Sequence, residues 1–191
     1  MLPKDLTRWR KAERERLIAE RKAMASSERE RATVAIAANL SAILPEQPAE
    51  VIAIYWPLFG EIDLRSWAKQ LIEQHGASIA LPVVAEKDAP LEFWRWRPGD
   101  AMVKGFWNIP VPARRELVSP GILTAPLVGF DAAGFRLGYG GGYFDRTLAS
   151  LSPRPLVIGI GLAFQRMDSI RPEPHDIPMD LIVTETGTLR R

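Results

Sequence analysis

Five short apolar runs, set between segments of helical pattern, constrain the fold of this chain more than any other feature. They occupy residues 51–56, 78–84, 122–130, 156–161 and 181–184. A strand covered on both faces reads as an unbroken apolar run rather than an alternation. Residues 4–25 are rich in Arg, Glu, Ala, Lys and Leu and contain no Gly or Pro, which predicts a helix. A second helix is predicted from about Ser27 to Leu44, stopped by Pro45, with Ser27 and Glu30 spaced as a capping box. Residues 63–75 place Leu64, Trp67, Ala68, Leu71 and Ile72 at helical spacing, and a further helix is expected at 143–151. The aromatic-rich stretch 91–96 alternates and reads as an exposed or antiparallel strand. Residues 98–121 hold many Pro and Gly and read as irregular connection. Apolar strands alternating with helices predict an α/β fold with a mostly parallel sheet. No linker divides the 191 residues, so residues 1–191 are expected to form a single domain.

Composition narrows the chemistry. The chain has no cysteine, which excludes disulfides, thiolate zinc sites and a cysteine nucleophile. No apolar run approaches the roughly 20 residues of a membrane span, and the charged N-terminus lacks a secretory pattern. A cytoplasmic, membrane-independent protein is expected, acting as a monomer. The net charge is +2, but residues 1–31 carry ten Lys/Arg against six Asp/Glu, a local +4 that leaves −2 for the remainder. Such a segment suits a solvated helix, a helix lending arginines to an anionic ligand, or a nucleic-acid surface. The first two are favoured, and no nucleic-acid partner is expected.

The stretch Arg136-Leu137-Gly138-Tyr139-Gly140-Gly141-Gly142-Tyr143-Phe144-Asp145-Arg146 concentrates the functional signal. Backbone without Cβ atoms can approach a ligand closely and adopt positive φ. Its N–H groups can converge on an anion, aided by the dipole of a helix starting near Tyr143. The spelling is neither a Walker A loop nor the dinucleotide fingerprint. A tight turn packing helix on strand is the plainer alternative. Asp145 reads either as a first-turn carboxylate or as a Mg²⁺ ligand. Asp180 stands at the entry to the last apolar run. Glu61 follows the first run, where ligands of open α/β sheets gather, and could hold the nitrogens of a pteridine or purine. His175 is set aside as structural.

This glycine stretch resembles the signature of the 5-formyltetrahydrofolate cyclo-ligase family, also called 5,10-methenyltetrahydrofolate synthetases. Phe130-Asp131 before it, Gly161-Leu-Ala-Phe164-Gln165 after it, Pro174-His175-Asp176, Asp180, Thr184-Glu185, Leu91-Glu92-Phe93 and the segment from Tyr55 to Asp63 resemble the family in the same order. The resemblance implies a three-layer α/β/α fold like that of phosphosugar isomerases and CoA transferases. It implies ATP- and Mg²⁺-dependent cyclisation of 5-formyltetrahydrofolate, with ADP and phosphate released. By position, Arg136, Leu137, Gly138, Tyr139, Gly140, Gly141, Gly142, Tyr143 and Phe144 would line ATP. Arg10 and Arg14 would supply a basic pair, with Lys11 or Arg8 as substitutes. Trp56, Glu61 and Gly140 to Tyr143 would face the folate, and Asp145 and Asp180 would hold Mg²⁺. Arg136, Tyr143 and Asp145 are the expected catalytic residues.

Three positions depart from the family pattern. Phe144 replaces a second tyrosine, Leu64 stands where threonine is usual, and Val111 stands where glutamate is common. These leave open a paralogue that handles ATP but takes another heterocycle. A non-enzymatic folate- or nucleic-acid-binding module is a further alternative.

Overall fold

The computed structural model describes residues 3–44 and 50–191. Pro45, the expected helix stop, lies outside the described residues. Helix α1 (Pro3–Ala23) and helix α2 (Ser26–Ile43) are followed by strand β1 (Val51–Ala53), helix α3 (Arg65–His75) and strand β2 (Ile79–Val83). Strand β3 (Glu92–Arg95) then precedes β4 (Met102–Lys104) and β5 (Pro110–Pro112), with a 3-10 turn at Phe106–Asn108 between the last two. Strands β6 (Pro120–Pro126), β7 (Gly129–Phe130) and β8 (Arg136–Leu137) lead into helix α4 (Tyr143–Ser150). The chain ends with β9 (Leu156–Ile160), β10 (Leu181–Thr184) and β11 (Gly187–Arg190).

The main sheet has seven strands in the order β11-β10-β9-β6-β1-β2-β3. β10, β9, β6, β1 and β2 run parallel, and β11 and β3 close the two edges antiparallel. Taken in chain order, the parallel strands lie 2-1-3-4-5, so strand order reverses between β1 and β6. In doubly wound sheets a crevice opens beyond the carboxyl ends at such a switch point, and ligands bind there.

Side chains alternate between two apolar layers, as the pleat requires. Ile52, Ile79, Ile158 and Val183 pack with Ile36 and Leu40 of α2 and with Trp67 and Leu71 of α3. Ala53, Leu123, Val157 and Ile182 pack on the other face with Leu148 of α4. Leu64 is wholly buried in the first layer and offers no side-chain bond to cap α3. Helix α1 departs from this layering. Its Arg10, Arg14, Leu17 and Arg21 fall on one helical face and meet the loops beyond the sheet. Its opposite face carries the pairs Lys11–Glu15, Arg16–Glu13 and Arg16–Glu20.

Three sequence expectations change. Residues 102–112 form an antiparallel hairpin rather than irregular connection, because Val103 pairs with Val111 across a tight 3-10 turn. The capping box does not form: α2 starts at Ser26, after Ala25, without a side-chain cap bond. A terminal strand, β11, follows the fifth apolar run and pairs with it through a turn at Glu185–Thr186.

Candidate active site

The crevice at the switch point has two walls. One is the loop after β1, residues 54–64. The other is the glycine loop, which reaches the carboxyl end of β6 through the small β7–β8 hairpin. Asp131 shapes that hairpin: its Oδ1 accepts from the amides of Ala133 and Phe135 at 3.1 Å, and its Oδ2 accepts from Ile170 N at 3.0 Å.

Within the glycine loop, Gly140 has φ +93° and Gly142 has φ +65°, conformations that L side chains adopt only at a cost. Gly142 is the N-cap of α4, and its carbonyl accepts from Arg146 N at 3.0 Å. The amides of Tyr143, Phe144 and Asp145 precede the first intrahelical bond and present the positive end of the helix to the crevice. Two guanidinium groups bracket the loop. Arg14 Nε donates to Gly138 O at 2.6 Å, and Arg146 Nη2 donates to Gly141 O at 2.7 Å. The Arg14 guanidinium lies against Gly140, 3.4 Å from where a Cβ would stand. Burial, followed by the charge of Arg10, holds Arg14 below its ordinary pKa, while Asp176 opposes the shift.

Arg10 and Arg136 are buried and paired. Arg10 donates to Ile170 O, Arg171 O, Glu173 and Asp176, the last at 2.6 Å. Arg136 donates to Ile177 O at 3.2 Å and lies 3.0 Å from Asp145 Oδ2, with its guanidinium 5.5 Å from the Phe144 ring. Burial lowers the pKa of Arg136, and Asp145 and Asp176 oppose the shift. The alternatives to Arg10 and Arg14 on α1 point elsewhere: Lys11 pairs with Glu15 at the surface, and Arg8 is exposed. Leu137 is buried in the hairpin, opposite Gly129.

Asp145 and Asp180 have different partners. Asp145 sits in the first turn of α4 and accepts from Ile177 N at 3.0 Å. Asp180 sits at the amino ends of β9 and β10, beside the loop that leaves the far end of α4. Its carboxylate is bonded twice to Arg154, at 2.8 and 2.9 Å, and accepts from Val157 N at 2.8 Å. Asp176 lies in the same segment. It directly precedes Ile177, and its charge acts on both Arg14 and Arg136. The family resemblance pairs Asp180 with Asp145; Asp176 reads as a turn residue in the sequence, and Arg10 draws its segment inward.

Glu61 is buried at the carboxyl end of β1. Its Oε1 accepts from the Tyr139 hydroxyl in a very short bond, and its Oε2 accepts from Leu58 N at 2.7 Å. Burial pushes the Glu61 carboxyl above its ordinary range, against the pull of the Tyr139 and Leu58 bonds and of Arg21. Trp56 stands nearby with Arg65 stacked 4.4 Å from its ring, and Arg65 is held bidentate by Asp63 at 2.8 and 2.6 Å.

Two groups at the site went unread in the sequence. Arg21 is 2% exposed and reaches Phe59 O, Leu127 O and the Tyr139 hydroxyl. Its signal was available as the position seven residues beyond Arg14 on the same helical face. Trp107, at the tip of the β4–β5 hairpin, stands edge-on to Tyr143 at 5.5 Å and is 61% exposed, with φ +54°. Tyr143 in turn accepts at its hydroxyl from Asp88 N at 3.3 Å. Residues 106–108 gave no such hint, because the segment read as a connection.

Known proteins share this fold. A solved structure of 5,10-methenyltetrahydrofolate synthetase from Aquifex aeolicus superposes with a TM-score of 0.82 at 27% identity, covering 95% of this chain and 92% of that one. The corresponding enzyme from Mycoplasma pneumoniae gives 0.75 at 25% identity, covering 92% and 98%. In sequence, the 5-formyltetrahydrofolate cyclo-ligase of Haemophilus influenzae is 30% identical over 149 residues, 74% of this chain and 79% of the relative. That of Escherichia coli K12 is 31% identical over 147 residues, 73% and 80% of the two. The model of the 5-formyltetrahydrofolate cyclo-ligase family matches residues 6–185. With the match running from α1 through the crevice to the end of β10, this chain belongs to the 5-formyltetrahydrofolate cyclo-ligase family.

Proposed function

We propose that this protein cyclises 5-formyltetrahydrofolate to 5,10-methenyltetrahydrofolate at the expense of ATP, using residues 6–185 as one catalytic unit. Family membership supports the reaction. The observation that carries the placement is the convergence of the glycine loop and Glu61 on one crevice at the β1/β6 switch point.

In this reading the triphosphate lies along the glycine loop. The amides at the start of α4 and the guanidinium of Arg14 offset its charge. Glu61 accepts from the amino and ring N–H groups of the folate. Trp107 and Tyr143 wall the folate on the hairpin side. The formyl oxygen attacks the γ-phosphorus and ADP leaves. N10 of the same folate then attacks the activated carbon, losing its proton, and the C–O bond breaks to release phosphate. Phosphoryl transfer asks the protein chiefly for positioning and charge stabilisation. The second step is intramolecular and gains from proximity. Neither step calls for a covalent bond to the protein.

The acids fit a hard cation. Mg²⁺ is held by one or two carboxylates together with substrate phosphates. Asp145 is paired with Arg136, and Asp180 is bonded to Arg154 and to Val157 N. Asp145 and Asp180, the pair implied by the family resemblance, would hold Mg²⁺, which supplies charge neutralisation at the phosphates when bound. Arg136 and Arg154 now pair with these acids and would retain them in place.

The test is direct. Purified protein given 5-formyltetrahydrofolate, ATP and Mg²⁺ should produce the absorbance of the methenyl product, and omitting either ATP or Mg²⁺ should abolish the rise. Folded protein that yields no product with all three present refutes the reading.

A further inference from the structure

A chain of hydrogen bonds crosses the crevice from α1 to Glu61, and no step above uses it. Arg21 carries only donors. Its Nη2 donates to the Tyr139 hydroxyl at 2.6 Å, which obliges the phenol to send its own proton to Glu61 Oε1. Leu58 N fixes the other oxygen. The same guanidinium donates through Nε to Phe59 O and through Nη1 to Leu127 O, each at 3.1 Å. One buried side chain thus joins the loop after β1, the end of β6 and the glycine loop.

We infer that Arg21 and Tyr139 are positioning residues that hold the Glu61 carboxylate as an oriented hydrogen-bond acceptor for the heterocycle of the substrate. The inference rests on the folate reading of Glu61 given above. A carboxylate offers about four acceptor sites, and Tyr139 and Leu58 take one on each oxygen. The remaining pair suits a ligand with two adjacent N–H donors, such as the amino and ring nitrogens of a reduced pterin. A protonated carboxyl would turn one of those sites into a donor and repel the ligand.

The surroundings of Glu61 place competing demands on its charge. Burial favours the neutral acid, and the Tyr139 bond, the Leu58 bond and the Arg21 charge 3.9 Å away favour the anion. Tyr55 and Asp63 also act electrostatically within this group: the Tyr55 phenol donates to Ile62 O, and Asp63 is turned to Arg65. Tyr139 can lose its bond to Glu61 without opening a hole. Its ring packs 5.9 Å from Phe59, and Tyr139→Phe keeps that contact.

The experiment compares wild type, Tyr139→Phe and Arg21→Lys. It reads kcat and KM for 5-formyltetrahydrofolate across pH, and folate binding without ATP by protein fluorescence. Acid loss of kcat/KM reports groups of the free enzyme. Tyr139→Phe should raise KM on the order of tenfold, more than it lowers kcat, as for a lost bond to a charged group. It should also move the acid limb of kcat/KM and of folate binding to higher pH. Arg21→Lys keeps the charge but loses the three-way fork, and should raise KM in the same direction. If Arg21→Lys does not fold, Tyr139→Phe alone decides. An acid limb and KM unchanged in Tyr139→Phe overturn the inference, as does a fall in kcat at every pH with the acid limb unmoved. Wild-type protein that makes no methenyl product sinks the proposed function and this inference together; an active wild type with an indifferent Tyr139→Phe sinks this inference alone.

Discussion

Arg136 Nη2 stands 3.0 Å from Asp145 Oδ2, and the arginine side chain is almost wholly withdrawn from solvent. Strand β8 of the small hairpin is thereby tied to the first turn of α4, with the glycine loop stretched between them. The loop is held at both ends before any ligand arrives, and the acid proposed to hold Mg²⁺ is also the counter-charge of a buried cation.

Asp145 therefore has two roles that a pair of variants can separate. Asp145→Ala leaves Arg136 buried with only the Ile177 carbonyl, and should cost about 2–4 kcal/mol in urea denaturation. Asp145→Asn retains shape and an acceptor and should cost less. Both should lose turnover in the absorbance assay. Wild-type rates in Asp145→Asn would remove the acid from the metal site.

Two neighbouring cations on α1 should behave very differently. Arg10 is buried and bonded to two carbonyls and two carboxylates, so Arg10→Ala should cost about 3 kcal/mol and loosen the segment bearing Asp176. Lys11 pairs with Glu15 in open solvent at 3.8 Å, and Lys11→Ala should change stability by less than about 0.5 kcal/mol. Equal losses in paired denaturation curves would contradict the inward orientation of this helical face.

Gly141 tests the approach of backbone to phosphate. A Cβ there would lie 2.9 Å from the Tyr143 ring, which must shift to admit it. Gly141→Val should weaken nucleotide binding at least about tenfold while costing about 1–3 kcal/mol of stability. Calorimetric titration with a non-hydrolysable ATP analogue reads the first and urea denaturation the second. Undiminished affinity would place the triphosphate elsewhere.

Glu61 imposes a pH dependence on folding with a definite sign. Burial holds its carboxyl above the ordinary value of 4.5, so the folded chain binds this proton more tightly than the unfolded chain does. Its contribution is fully present below 4.5 and is lost as pH rises through the folded value. Asp63 works the other way: burial pushes it up, but its bonds to Arg65 prevail and hold it low, so its contribution is lost as pH falls. Glu61→Gln isolates the first effect. Relative to wild type, its melting temperature should rise as pH increases above about 4.5. A constant difference across that window would show that folding leaves the proton affinity of Glu61 unchanged.

The strands buried on both faces were legible because burial itself writes their pattern. Each apolar run became a member of the main sheet, and α3 and α4 lie within two residues of their expected bounds. The β4–β5 hairpin was not legible. Its strands have three residues each, two of those in β5 are prolines, and its pairing depends on contacts across a turn rather than on a periodic face. Strand β11 was missed for a similar reason, since Gly187–Arg190 carries little apolar signal and gains its place by pairing with β10.

By itself, the sequence determined an α/β sheet, a glycine loop at its edge and the family signature in that loop, because strand burial, positive φ and close backbone approach each demand particular residue types. Tertiary structure alone decided which charges meet. It turned Arg21 inward to Tyr139 and Glu61, tied Asp145 to Arg136 and Asp180 to Arg154, and set Trp107 edge-on to Tyr143. An arginine or aspartate is spelled the same whether it faces water or a buried partner. The desolvation and pairing that distinguish the two arise only when distant segments close on one another.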